Sequence, residues 1–246
     1  MQGGTNYAYG GARTDYHVLP SPPALSLMQQ RDAYLAGLGG GMADPNALYI
    51  VWAGSNDLND ILTNISTNPL YNPYPDLADV GADLGDVIAS LAAAGVRHLV
   101  APNIPNLGLV PRATGGGAPN LQVSGLVSNF NLGLESVLQS IESAYPETDI
   151  IRFDTFSLLS ELYQNPTGGI TNVSNNCYSL YVVAGGTTCA NPETYIFWDQ
   201  IHPTSATHRI LATQLARAVP EPESLVLVGV GLLAFVLVRR RRQPKW

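Results

Sequence analysis

Charge is scarce in this sequence. Asp, Glu, Lys and Arg make up 13% of its 246 residues, and the formal net charge is −7. Twelve residues are Lys or Arg, and five of them (Arg239, Arg240, Arg241, Arg242 and Lys245) fall in the last eight positions. Residues 1–218 are therefore strongly acidic, which argues against a nucleic-acid partner. Metal-ligand clusters are missing too: His17, His98 and His208 stand at no ligand spacing from one another or from the cysteines, so neither a metal nor a cofactor is expected. Gly115-Gly116-Gly117 has no strand immediately before it and reads as a flexible loop, not a phosphate cradle. Only two cysteines occur, Cys177 and Cys189, in a Gly-, Thr- and Asn-rich stretch.

Hydrophobic residues, in contrast, reach 46%, enough for one globular domain with a sizeable core. The pattern divides into a domain over 1–218 and a tail over 219–246. Within the domain, the apolar run Leu48–Ala53 reads as a strand. Val80, Leu84, Val87, Ile88 and Leu91 recur at helical spacing and predict a helix over Leu77–Ala94, closed by Gly95. Arg97–Ala101 and Asp149–Phe153 predict further strands, and Val123–Tyr145 and Ser205–Ala218 further helices. Strands alternating with helices imply an α/β fold, a parallel sheet covered on both faces.

Two short motifs carry the chemistry. In Asp199-Gln200-Ile201-His202 a carboxylate and an imidazole stand at i and i+3, close enough for Asp199 to accept from one ring nitrogen and leave the other free as a base. In Gly54-Ser55-Asn56-Asp57 an amide follows a strand, at the end where open α/β sheets place their ligands. Asn56-Asp57 alone could be an ordinary turn, and His202 alone a surface histidine. Their company favours a site.

Together with Asn6-Tyr-Ala-Tyr-Gly-Gly-Ala12, these motifs resemble three of the four blocks of the SGNH, or GDSL, hydrolase family. Pro102-Asn-Ile-Pro-Asn-Leu-Gly108 and Asn165-Pro-Thr-Gly-Gly-Ile-Thr-Asn172 extend the likeness, so it runs from about Gly4 to Ala218. The resemblance implies a three-layer αβα, flavodoxin-like parallel sheet of strand order 2-1-3-4-5. It also implies ester hydrolysis: His202 as general base, Asp199 as its orienting carboxylate, and Asn56 and Gly11 (preferred over Gly10) as oxyanion donors. Asp57, Gly54 and Gly10 are left with structural roles. The substrate class implied is a lipid or an acetylated carbohydrate ester.

The fourth block, Gly-Asp-Ser, occurs nowhere in the sequence. Ser55 lies inside the Asn block at a position the family leaves variable, and Ser21 and Ser26 follow a Pro-rich stretch with no strand-to-helix elbow, so all three are poor replacements. The expectation is a chain lacking the N-terminal part of the reading frame, with the nucleophile, a signal peptide and the first two strands upstream. Leu48–Ala53 would then be an edge strand, and the chain as written would fold poorly.

The tail is the second informative region. Val219-Pro-Glu-Pro222 precedes an uncharged stretch from Ser224 to Val238 and then four consecutive arginines. This resembles the PEP-CTERM sorting tail of Gram-negative bacteria. It implies a membrane segment over 224–238 with the arginines on the cytoplasmic side, and a sorting protease acting at Pro220–Pro222. The localisation implied is inner membrane and periplasm, then cell surface or extracellular matrix. In an exported protein Cys177 and Cys189 would close a disulfide loop ahead of the Asp-His motif, the alternative being two free thiols. Two functions stay open: a surface-sorted serine esterase, inactive in this chain, or a non-catalytic membrane-sorted protein that retains the hydrolase fold. A metal-dependent hydrolase is a distant third.

Overall fold

The computed structural model describes residues 6–15, 25–179 and 186–219. In chain order the elements begin with α1 (Leu27–Gly37), β1 (Leu48–Ile50), α2 (Ser55–Thr67), α3 (Tyr74–Ala93) and β2 (His98–Pro102). Then come the short α4 (Pro111–Thr114), the long α5 (Leu121–Ala144), β3 (Asp149–Phe153) and α6 (Thr155–Gln164). The last part holds β4 (Asn172–Asn176), β5 (Tyr178–Ser179), β6 (Thr187–Thr188), β7 (Tyr195–Phe197) and α7 (Ser205–Ala218).

β1, β2 and β3 form a parallel sheet in that order, with Leu48 opposite His98, Val100 opposite Ile151 and Pro102 opposite Phe153. β2, in the middle, is buried from Leu99 to Pro102, as a strand covered on both faces must be. The arrangement is the parallel α/β sheet of a three-layer αβα fold. The main core joins Leu99, Ala101 and Ile150 of the sheet to Leu77, Val80, Leu84, Val87, Ile88 and Leu91 of α3 and to Val127, Phe130, Leu134, Leu138 and Ile141 of α5. α3 and α5 come unusually close at Gly85, where a Cβ would lie 2.6 Å from Val137 Cγ1. A smaller core of Leu109, Val110, Leu159, Leu162, Ile170, Ile196 and Phe197 supports the Asp-His motif.

β1 lies at the edge of the sheet. Leu48 is 44% and Ile50 53% exposed, as expected of an apolar strand that is paired on one side alone among the described residues. Its ladder is shorter than the predicted Leu48–Ala53, although Val51 N–H still donates to Val100 O at 3.0 Å. The helix over Ser205–Ala218 and the strand over Asp149–Phe153 have the predicted bounds; the others shift by one to three residues. Three longer helices, α1, α2 and α6, escaped the sequence pattern. α1 carried a readable signal: Ser26 and Gln29 close a capping box at its start. α2, Ser-Asn-Asp-Leu-Asn-Asp-Ile-Leu-Thr-Asn-Ile-Ser-Thr, is made largely of poor helix formers, and burial of Leu58 and Ile61 outweighs their propensity.

Cys177 and Cys189 are joined in a disulfide. Among the described residues no helix is long and apolar enough to cross a membrane; the predicted segment 224–238 and the predicted cleavage region Pro220–Pro222 lie outside them.

Candidate active site

β1 delivers the Asn motif. The strand ends, Gly54 turns the chain with φ +97°, and α2 begins at Ser55. Glycine is required there twice over: the conformation is left-handed, and a Cβ would sit 3.0 Å from Ile104 Cδ1. The tight turn puts Asn56 in the first turn of α2, facing the cavity. Asn56 Nδ2 donates to Ala12 O at 2.8 Å. A primary amide has two N–H donors, so this bond orients the group and leaves a second donor.

The Gly-Gly segment lies beside it, with Gly11 at φ +80° and exposed. Three side chains from the first turns of α2, Asn56, Asp57 and Asp60, strap this segment down. Asn56 holds Ala12. Asp57 Oδ1 accepts from Thr14 N–H and Thr14 Oγ1, both at 3.0 Å. Asp60 pairs with Arg13 through two bonds of 2.8 and 3.0 Å, and Arg13 in turn donates to Gly11 O at 2.8 Å. Asp57 is 6% exposed and its Oδ2 has no hydrogen-bond partner among the described residues. Burial pushes its carboxyl up, against the pull of the Thr14 hydrogen bonds. Asp57 thus organises the loop, whereas Thr14, Arg13 and Asp60 went unread in the sequence. The contacts Thr14–Asp57 and Arg13–Asp60 cross 43 and 47 residues and leave no local pattern; the one readable sign is that Asn56, Asp57 and Asp60 share a helix face.

The Asp-His motif comes from the other side. β7 leads into a closed loop in which Trp198 N–H donates to His202 O at 2.8 Å and Phe197 bridges to Pro203. Thr204 then caps α7, its Oγ1 accepting from Thr207 N–H. Within this loop His202 Nδ1 and Asp199 Oδ2 are 2.8 Å apart, while Asp199 Oδ1 accepts from the backbone of Ile201 and His202 at 2.9 and 2.8 Å. Partial burial pushes the Asp199 carboxyl up, but the bonds from Ile201 and His202 outweigh it and hold the group below its ordinary value. Asp199 is thereby kept ionised, and an acceptor at Nδ1 favours the tautomer with Nε2 free. His202, 66% exposed at its side chain, is open to a reacting group.

The disulfide braces this loop from behind. Cys177 N–H and Tyr178 N–H donate to Phe197 O and Trp198 O, and Tyr178 stacks on Trp198 with ring centroids 5.5 Å apart.

Ala12, Asn56 and His202 line one cavity of about 810 Å³. Gly10 and Gly11 adjoin it through Ala12. Ser55 lines it as well, but no described hydroxyl is hydrogen-bonded to the His202 ring; Ser26 is the cap of α1, and Ser21 lies outside the described residues. Among the described residues no three His, Cys, Asp or Glu side chains gather as a metal site.

The model of the GDSL-like Lipase/Acylhydrolase family matches residues 1–215. The chain belongs to that family. GDSL esterase/lipase APG of Arabidopsis thaliana is 30% identical over 190 residues, covering 69% of this chain and 52% of the relative. An uncharacterized protein from the trpE-trpG intergenic region of Pseudomonas putida is 29% identical over 248 residues, 92% of this chain and 39% of the relative. GDSL esterase/lipase EXL3, also of A. thaliana, is 26% identical over 186 residues, covering 69% of this chain and 50% of the relative. The GDSL-family chain thus spans about half the length of these relatives. The PEP-CTERM protein-sorting motif matches residues 218–242.

Proposed function

We propose that this GDSL-family chain supplies the base and the oxyanion donors of a serine ester hydrolase, and that the attacking serine lies outside these 246 residues. The observation that carries this reading is that His202, hydrogen-bonded to Asp199, and Asn56 line one cavity. In the reaction a serine hydroxyl attacks the ester carbonyl while His202 Nε2 takes its proton. The proton then passes to the leaving alcohol, and water repeats the sequence on the acyl-enzyme. Asp199 holds the ring and stabilises its cation. The second N–H of Asn56 and the Gly11 N–H meet the developing oxyanion, and Gly54, Gly10 and Asp57 keep the two donors in place.

The natural substrates are esters of a lipid or an acetylated carbohydrate. The PEP-CTERM match supports export, membrane anchoring through 224–238 and cleavage by a sorting protease near Pro220–Pro222. The competing reading, a sorted surface protein that keeps the fold without catalysis, makes one distinct demand: no esterase activity under any condition.

For the isolated chain both readings expect no serine-esterase turnover, since His202 and Asn56 alone assist only attack by water. A fluorophosphonate probe tests the missing nucleophile. No labelling is expected; stoichiometric labelling of any serine in this chain would overturn the proposal that the nucleophile lies elsewhere.

A further inference from the structure

The wall of the catalytic cavity is almost free of formal charge. No described Asp, Glu or Lys lines it, and Arg112 is the one Arg that does, in a protein of net charge −7. Apolar side chains such as Leu62, Leu107, Leu126, Leu158 and Leu162 make up much of the remaining surface. Five other arginines, Arg13, Arg31, Arg97, Arg152 and Arg209, each pair with a carboxylate. Arg112 pairs with none among the described residues.

Arg112 is nevertheless held in place. Its backbone N–H donates to Gln200 O at 2.9 Å, two residues before His202. Its Nη1 donates to Asn59 Oδ1 at 2.8 Å, and Asn59 follows Asn56 by three residues on α2. Arg112 therefore links the two halves of the site, its backbone to the Asp-His loop and its exposed guanidinium to α2, one helical turn from the amide donor. A guanidinium offers five N–H donors in a planar fork that fits a carboxylate or a phosphate, and Nη1 alone is engaged here by a described acceptor.

We propose that Arg112 anchors the anionic head of an amphiphile whose apolar chain lies in this cavity. The head is a carboxylate, such as that of a fatty acid, or a lipid phosphate; both share the bidentate geometry that Arg selects. The reading deepens the proposed ester hydrolysis and rests on it for the nature of the reacting bond, while the head-group preference is a property of binding alone.

Ligand-observed NMR on the 246-residue chain tests this with octanoate, octyl phosphate and the uncharged methyl octanoate, each below its micellar concentration. Both anions should bind about tenfold or more tightly than methyl octanoate. Arg112→Gln should erase that preference while leaving methyl octanoate within about twofold of its parent affinity, and Arg112→Lys should retain part of the preference. Tighter binding of octyl phosphate assigns the head to a lipid phosphate, and tighter binding of octanoate to a carboxylate. Equal affinity for all three ligands, no binding of any of them, or an anion preference that survives Arg112→Gln overturns the proposal. If Arg112→Gln loses methyl octanoate binding through a damaged fold, Arg112→Lys decides, because a preference as large as the parent's or wholly absent in that folded variant also overturns it. Hydrolysis of a neutral short-chain ester after a serine is supplied is a separate readout. Its failure beside an intact anion preference rejects the esterase reading and leaves Arg112 standing; the reverse result rejects Arg112 alone.

Discussion

The His202 ring is oriented by one hydrogen bond to the Asp199 carboxylate, and that pair was legible because its members stand three positions apart in sequence. The bracing behind Gly11 was not legible, because Thr14 meets Asp57 and Asp83 across 43 and 69 residues. Those contacts favour a shared proton. Thr14 Oγ1 has one hydrogen, yet it lies 3.0 Å from Asp57 Oδ1 and 2.9 Å from Asp83 Oδ2, so satisfying both contacts needs a proton on one carboxyl. Burial raises both carboxyls; Asp15, Asp79 and Asp86 push Asp83 further, and Arg13 opposes at Asp57. The folded state thus binds this proton more tightly than the unfolded chain. Its contribution is complete below the ordinary carboxyl value of about 4 and is lost as pH rises through the raised folded value. Asp199 has the opposite sign: its lowered value gives stability that is present above the ordinary carboxyl range and lost as pH falls through the lowered folded value. Asp83→Asn supplies Thr14 with a donor in place of that proton, so the variant should show a flatter fall in urea midpoint than the parent as pH rises above about 4. A fall of unchanged steepness in Asp83→Asn would remove the shared proton from the account of this loop.

Among the elements, those with strong periodicity were read and those shaped by contact were not. α3 declares itself through Val80, Leu84, Val87, Ile88 and Leu91, all buried. α2 begins where Gly54 permits a left-handed turn, and its Asn, Asp, Ser and Thr content reads locally as a loop. Gly54→Ala should therefore destabilise the domain by about 1–3 kcal/mol, measured by chemical denaturation, since the left-handed conformation and the approach of Ile104 both oppose a Cβ. A loss within about 0.5 kcal/mol would mean that the turn relaxes freely. β1 presents a different liability. Among the described residues its outer edge is unpaired in the sheet, and Leu48, Ile50 and Trp52 are each at least 44% exposed, which is a template for edge-to-edge association. Ile50→Lys should lower self-association of the chain, seen by light scattering at matched concentration. Equal or greater association in Ile50→Lys would show that β1 is not the adhesive edge.

At the scale of the whole molecule, the family was readable because three motifs kept their order along the chain, which no single motif could show. The tail was readable from its flanks, Pro220-Glu-Pro222 before the apolar run and Arg239–Arg242 after it. In cells that contain the matching sorting enzyme, surface protein should lack the C-terminal peptide, and deletion of that enzyme should restore it. An intact Pro244-Lys245-Trp246 end on surface protein from enzyme-containing cells, found by mass spectrometry, would refute cleavage and leave simple anchoring. On the proposed function, His202, Asp199 and Asn56 form a working base and oxyanion site that needs only a serine. Its most direct measurement is the rate of short-chain aryl ester hydrolysis after a segment bearing Gly-Asp-Ser is joined in frame ahead of Met1. Activity should appear, fall by several orders of magnitude in His202→Ala, and fall by about 10²–10³ in kcat without a matching rise in KM in Asn56→Ala. Activity in the Asn56→Ala and His202→Ala variants within a factor of about two of the parent, or no activity in the joined protein despite a native fold, would contradict it.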